Sequence, residues 1–296
     1  MEIIRKSFIA LSMLVMTCAA AAMPKVYDIS SPDGTLSAQV SVDQGKITWS
    51  VTKEGNLVLS PSEIAMQLAD GTAYDGAVKL QKTIRLDVDN VLDAPFYKKS
   101  QVKEAYNQLQ LRFKTFDLEF RAYDAGVAYR FVSKSKVPFK VAGETARFAF
   151  PEDWMMYVPY VCQHTETLES QFYSSCENRY EHTPLSQWNK ERIAFLPIMV
   201  ETPQGYKINI MESDLLNYPG MYLYNSDADS VLEARYAPYP KDIKQGGHNS
   251  LQGVVQTRED YLAKYDGAVS FPWRILSVSV QDKEMLDNDL VWLLGE

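Results

Sequence analysis

Basic side chains, cysteine and histidine are all in short supply in these 296 residues. Thirty Lys and Arg stand against 38 Asp and Glu, giving a formal net charge of −8, with three Cys and three His. Nucleic acid is excluded as a partner, because phosphate binding needs clustered Lys and Arg that the chain does not have. No Cys-x-x-Cys pair and no His/Cys cluster suggests zinc. A Gly-x-Ser-x-Gly elbow, a Walker loop, a dinucleotide fingerprint and a His-Glu-x-x-His motif are also missing, so the common nucleophile, phosphate and zinc chemistries have no support. Long apolar runs are absent too. The one near the N-terminus is too short for a membrane span, which needs about 20 apolar residues. A sustained helical stripe is lacking except over 283–294.

What the chain has is aromatics and alternation. Eighteen Tyr and 12 Phe are available to fill pleated faces. Leu36 to Val42, Ile47 to Thr52, Leu109 to Phe113, Leu118 to Tyr123, Val127 to Val132 and Lys207 to Ile210 alternate with period two, the mark of half-buried strands. Turn chemistry separates them at Pro32-Asp33-Gly34, Asp43-Gln44-Gly45, Glu54-Gly55-Asn56 and Asp70-Gly71, where Gly supplies positive φ. These features predict an all-β sandwich of two packed antiparallel sheets, with no internal repeat and no low-complexity linker.

The first 22 residues have the form of a secretory leader. Arg5 and Lys6 precede the apolar stretch Phe8 to Met16, and Ala20-Ala21-Ala22 follows as a small-residue cleavage site. Cleavage near Ala22 leaves 23–296 as the mature domain, in the periplasm or secreted. Cys18 raises a lipid-anchor reading, but Met16-Thr17 is a poor context for it. In an oxidising compartment Cys162 and Cys176 could close a short loop, constraining the unfolded chain by about 3 kcal/mol; two free thiols are the alternative.

The segment from Val161 to Lys190 breaks the strand rhythm and is the place to look for a ligand. It holds Glu166, Glu169, Glu177 and Glu181 among Phe172, Tyr173, Tyr180 and Trp188. Carboxylates on an irregular loop can supply the hard oxygens that calcium needs, or they can form a solvated acidic surface. Aromatics beside carboxylates suit a sugar, which has apolar ring faces and polar edges, though core packing is the commoner fate of an aromatic. Glu212 and Asp214 follow a strand and are expected to accept backbone N–H groups across a turn rather than bind metal. Arg274, beside Trp273 in an apolar strand, is expected to close a buried ion pair or lie on an aromatic ring.

Four stretches occur in an order that resembles a known family. They are Ser31-Pro32-Asp33-Gly34-Thr35-Leu36, Phe120 through Phe131 (Phe-Arg-Ala-Tyr-Asp-Ala-Gly-Val-Ala-Tyr-Arg-Phe), Glu212 through Leu223, and Phe271-Pro272-Trp273-Arg274. Together they resemble the N-terminal domain of glycoside hydrolase family 97, which includes Bacteroides-type periplasmic α-glucosidases and related α-galactosidases. The resemblance covers essentially the whole mature chain. It implies a β-super-sandwich of galactose-mutarotase-like fold, packed against a C-terminal (β/α)8 barrel that carries the catalytic carboxylates. It further implies an oligosaccharide substrate and a Ca2+ ion to which this domain contributes a glutamate. Following Tyr157-Val158-Pro159, the matching loop is Leu168 to Tyr173, which singles out Glu169, with Glu166 second.

None of the barrel's catalytic residues is in this sequence. The expectation is therefore a substrate-pocket and calcium-ligand domain, inactive alone, whose apolar C-terminal pattern runs as strand to the last residues and whose 289–294 stretch leads into the barrel. A stand-alone carbohydrate-binding module is the alternative. A mutarotase-like epimerase would need paired histidines in one cleft, and His164, His182 and His248 are dispersed.

Overall fold

The computed structural model describes residues 24–161, 167–225 and 230–295. Two antiparallel sheets face each other. The first runs in the order Lys25–Ser30, Leu36–Asp43, Lys46–Lys53, Asn56–Leu68, Phe139–Ala149, Val231–Arg235, Tyr222–Tyr224. The second runs Glu181–Pro184, Met155–Val158, Ile198–Glu201, Lys207–Ser213, Trp273–Ser279, Gly126–Ser133, Phe116–Tyr123, Gln101–Phe113, Leu80–Asp93. Short strands attach to both, so the described residues make nine strands in one sheet and ten in the other. The expected all-β sandwich is what forms.

Local sequence explains the hairpins. Asp43 pairs with Lys46 and Lys53 with Asn56, leaving two-residue loops. Both residues of each loop have positive φ, 34° and 92° at Gln44-Gly45 and 52° and 81° at Glu54-Gly55, the turn whose twist matches that of its flanking strands. Alternation then decides the inner face. Leu36, Ala38, Val40 and Val42 from one strand and Ile47, Trp49 and Val51 from the next are all buried. Trp49 of the first sheet meets Tyr129 and Phe120 of the second at centroid distances of 5.3 and 6.0 Å, and is backed within its own sheet by Phe148 at 6.3 Å. Edge and tilted contacts of this kind add to the burial of large rings.

One polar cluster lies inside this core. Arg274, 1% exposed, donates from Nε and Nη2 to both carboxylate oxygens of Glu144 at 2.8 and 2.7 Å, and from Nη1 to Glu212 at 2.7 Å. Glu144 belongs to the first sheet and Arg274 and Glu212 to the second, so the cluster ties the sheets together. The guanidinium also lies 5.2 Å from the Tyr236 ring and 5.7 Å from Tyr218. Glu212 accepts the Met221 backbone N–H at 3.1 Å. Both expectations for Arg274 and the structural role expected of Glu212 are therefore met. Burial pushes the Glu212 carboxyl up, and Arg274 and the Met221 amide oppose that rise.

The C-terminus corrects the reading of an apolar strand continuing to the last residues. The strand stops at Ser279, and two short helices follow, Asp282–Leu286 and Leu290–Leu293. Trp273–Ser279 is buried on both faces: the last helix returns to the sandwich and packs on its second face, whereas Asp282–Leu286 buries no residue. Leu290 and Leu294 join Tyr106, Tyr123, Ala128, Trp273 and Ile275 in a second apolar cluster. Apolar periodicity cannot tell a doubly buried strand from a covering helix in so short a run. Gly126 permits the close fit, because a Cβ there would sit 2.6 Å from the Leu276 carbonyl oxygen and 2.7 Å from Leu290 Cδ1.

The turn between the strands Leu80–Asp93 and Gln101–Phe113 clamps these helices. Tyr97 donates to Asp289 at 2.9 Å and stacks on Trp292 at 5.1 Å. Lys99 reaches Asp289 at 2.6 Å and Asp287 at 2.7 Å. Burial raises the Asp289 carboxyl, but Lys99, Tyr97 and Lys98 outweigh it and hold the group below its ordinary 3.8.

Two predictions follow from these contacts. Arg274→Met leaves two buried carboxylates without a counter-charge and is expected to cost about 3–5 kcal/mol in urea unfolding, with part restored by adding Glu144→Gln. A depressed carboxylate stabilises above its unfolded pKa and loses that contribution as pH falls through the folded value. Hydrogen-exchange protection of 282–294 should hold at neutral pH and fall away below 3.8, a pH dependence that Asp289→Asn removes.

Candidate functional site

The strand Met155–Val158 leaves the sheet at Pro159, and the chain returns as Glu181–Pro184, pairing Val158 with Glu181 and Met155 with Pro184. The excursion between them is therefore closed at its base by a ladder. Expected as irregular, it includes among its described residues a short helix, Leu168–Gln171. Thr167 caps it, its hydroxyl accepting the Ser170 N–H at 3.2 Å while Ser170 returns the contact. Gln171, buried, sews the helix down: its amide donates to the Glu191 carbonyl and accepts the Ile193 N–H, both at 2.8 Å.

Glu169 stands in the first turn of this helix, half exposed, and is bound by Arg258 Nε. Arg258 also donates to the Pro238 carbonyl at 2.7 Å and lies 5.8 Å from the Phe172 ring. It ends the ribbon Pro240–Gly246/Gln252–Arg258, a separate two-stranded sheet. A second contact, Tyr173 hydroxyl to Gln252 Oε1 at 2.7 Å, pins this ribbon over the excursion. Phe172 meets Tyr222 edge-on at 5.5 Å. Burial, aided by the neighbouring Cys176 thiol and Glu212, pushes the Tyr222 hydroxyl up to about 12.

Glu166, Cys162 and His164 lie outside the described residues, so the second calcium candidate and the thiol pairing do not enter the geometry. Cys176 is exposed. Glu181 is directed to Arg192 at 3.9 Å. His182 stacks on Tyr157 at 4.2 Å, while His248 lies at the far turn of the ribbon. Trp188 is buried and donates to the Arg192 carbonyl at 3.0 Å, which makes it core.

On one flank of the helix is a cleft of about 610 Å³, lined by Leu168, Gln171, Lys190, Arg192, Tyr224 and Arg235 among others. Lys190 is fixed by Asn225 Oδ1 at 2.6 Å, and Tyr224 donates to the Lys190 carbonyl at 2.6 Å. Arg192 lies 5.1 Å from the Tyr160 ring, with Nε and Nη2 buried and without hydrogen-bond partners among the described residues. Such a concave, mixed aromatic and polar wall can orient a polyhydroxylated ligand.

The fit to calcium is partial. The ion takes six to eight oxygen ligands. Among the described residues no group of three or more His, Cys, Asp and Glu side chains comes together, and Glu169 is engaged by Arg258. These residues do not hold calcium by themselves. Sequence reasoning missed Arg258, Gln171 and Arg192. Arg258 lies 89 positions from Glu169, in a ribbon with no signal of its own, and Gln171 looked like any polar loop residue.

Residues 29–296 match the family Glycosyl-hydrolase 97 N-terminal. A retaining alpha-galactosidase of Bacteroides thetaiotaomicron is 44% identical over 273 residues, which is 92% of this chain and 41% of that protein. A probable retaining alpha-galactosidase of Streptomyces bingchenggensis is 26% identical over 274 residues, 90% of this chain and 38% of that protein. A glycoside hydrolase family 97 enzyme from Pseudoalteromonas sp. strain K8, solved in complex with acarbose, superposes with a TM-score of 0.72 at 18% identity, covering 91% of this chain and 38% of its own. This chain thus spans about two-fifths of the length of the curated relatives it matches. With the sandwich matched in sequence from its first strand through its C-terminal helices, the chain belongs to the glycosyl-hydrolase 97 N-terminal family.

Proposed function

We propose that this chain is the substrate-pocket domain of an exported α-glycosidase of α-galactosidase type, acting on α-linked oligosaccharides together with a catalytic barrel that the described residues do not include. The observation that carries the reading is 44% identity, across nearly the whole chain, to a protein named a retaining alpha-galactosidase. Export rests on the leader-like residues 1–22. Among the described residues no helix is long and apolar enough to cross a membrane.

Glu169 is the proposed carboxylate that this domain offers to a calcium ion, with Glu166 the second candidate and the remaining ligands supplied from elsewhere. Bound there, the ion would act as a Lewis acid toward substrate or water. Arg258 holds the Glu169 carboxylate in a fixed orientation, and Gln171 fixes the helix that carries it. Retaining chemistry needs two carboxylates about 5–5.5 Å apart across the scissile bond, a pair assigned here to the barrel.

One observation favours the stand-alone binding module as a second reading. The C-terminal helices fold back and bury Leu290 and Leu294, which closes the sandwich against itself. Light scattering separates the two readings: a monodisperse, soluble monomer supports the module, and self-association through an exposed apolar face supports the pocket domain.

The 296-residue chain is expected to release no sugar from aryl α-galactosides and to show no saturable calcium binding below ~1 mM by calorimetry. Turnover that is lost on Glu169→Gln would overturn the inactive-domain reading. Submillimolar calcium binding by this chain, lost in the same variant, would mean that it holds a complete site.

A further inference from the structure

On the other flank of Arg258, away from the Leu168–Gln171 helix, lies a groove that shares only Arg258 with the site above. Its first lobe, about 510 Å³, is walled by Tyr239 and Tyr265, with Asn217, Arg258, Lys264 and Asp266 supplying polar groups. A second lobe, about 570 Å³, shares Lys264, Tyr265 and Asp266 and continues to Phe139, Lys140 and Asp70. Each lobe has the size of a small-ligand site, and together they make an elongated depression.

The aromatic wall is held rigid by its neighbours. Tyr239 stacks on Tyr261 at 5.4 Å and 27°, and the backbone of the two is locked by Tyr239 N–H to the Tyr261 carbonyl at 2.7 Å. Tyr265 donates to the Asn217 carbonyl at 3.0 Å and meets Phe139 and Phe271, each at 5.6 Å. Pro219, Pro238 and Pro240 also line the first lobe, and their rings fix φ along that wall. Both Tyr239 and Tyr265 are only half-buried, and Asn217, Lys264 and Asp266 are exposed. The groove is therefore pre-formed, with immobilised, half-buried tyrosine rings; the exposed Lys264 ammonium lies 5.1 Å from the centre of the Tyr239 ring, a contact that a ligand on that face replaces.

The chemistry of the rim narrows the ligand. Donors (Arg258, Lys264) and acceptors (Asp266, the Asn217 amide oxygen) share the lining with the tyrosine rings, and opposite charges offset one another. An anion would meet Asp266 and a cation would meet Lys264. A neutral ligand with an apolar face and many hydroxyls uses both sets, its C–H face on tyrosine and its hydroxyls on the charged rim. We infer that the groove running past Tyr239 and Tyr265 is a binding site for a neutral oligosaccharide, separate from the cleft at Arg192. Its two-lobed length suits several sugar units. The inference rests on the proposed function only for the choice of an α-galactosidic ligand.

The test is calorimetric titration of the whole chain with an α-linked galacto-oligosaccharide of three sugar units, alongside an α-linked gluco-oligosaccharide and a proline-rich peptide. Tyr239→Ala is expected to weaken sugar binding about tenfold, the loss of one stacking platform. Because Tyr239 also supports Tyr261, the exposed variants Asp266→Asn and Lys264→Met provide a second measure, expected to weaken binding several-fold with an unchanged melting temperature. Lys82→Ala, on the exposed edge strand Leu80–Asp93 and away from the groove, should bind as the unaltered chain does. Binding of the gluco-oligosaccharide alone, with the same sensitivity to the groove variants, upholds the site and overturns the α-galactoside reading. No sugar binding, sugar binding indifferent to Asp266→Asn and Lys264→Met, or capture of the peptide in place of sugar each overturns the site.

Discussion

Two carboxylates face one guanidinium in the middle of the sandwich, and the arrangement of everything around them follows from that meeting. Glu144 comes from one sheet, Arg274 and Glu212 from the other, and all three are withdrawn from water. Charges in such a place are tolerated only when paired in good geometry, and an error in register between the sheets would leave one of them stranded. The ion trio thus makes a misaligned sandwich costly, where apolar contacts alone would tolerate some sliding. Its outer member does more than pair. By accepting the Met221 N–H, Glu212 fixes the turn that carries Tyr218 and Pro219, and so one wall of the tyrosine groove is held by the same cluster that joins the sheets.

Around the excursion after Pro159, structure is maintained by different means. The short helix there buries little, and its position depends on amide-to-backbone bonds from Gln171 and on the capping pair Thr167 and Ser170. Across from it the ribbon is attached by two polar contacts, from Arg258 and from Gln252. Elements held by a few exposed polar contacts open at lower free energy than those held by buried area. The helix with Glu169 and the ribbon with Arg258 are the parts of this fold best able to rearrange when a ligand or another domain competes for the same carboxylate.

Most of the sandwich was legible in the sequence, because its central strands bury one face and alternate accordingly. The Gln44-Gly45 and Glu54-Gly55 turns could be read to the residue. The strand Leu80–Asp93 could not, since it is an edge strand with no residue buried and carries mixed charges in place of an apolar stripe. Such charges discourage an edge from pairing with a neighbour, and they also erase the signal that would reveal it. Arg274 and Glu212 were readable as structural because a charged residue flanked by apolar ones on a strand has to find a buried partner. The pairing of Glu169 with Arg258 had no local trace: it depends on where an exposed ribbon folds back, which no short-range pattern encodes.

The strand Trp273–Ser279 lies between Lys207–Ser213 and Gly126–Ser133 in the sheet order, although it is the last strand of the sandwich in chain order. Until it arrives, the ten-stranded sheet is two separate halves, each with a bare central edge, and Glu144 and Glu212 have no cation between them. Assembly of the sandwich therefore waits on its last strand. During synthesis the earlier strands are exposed to wrong partners for as long as the ribosome takes to reach that point, the condition under which non-local β topologies most need chaperones.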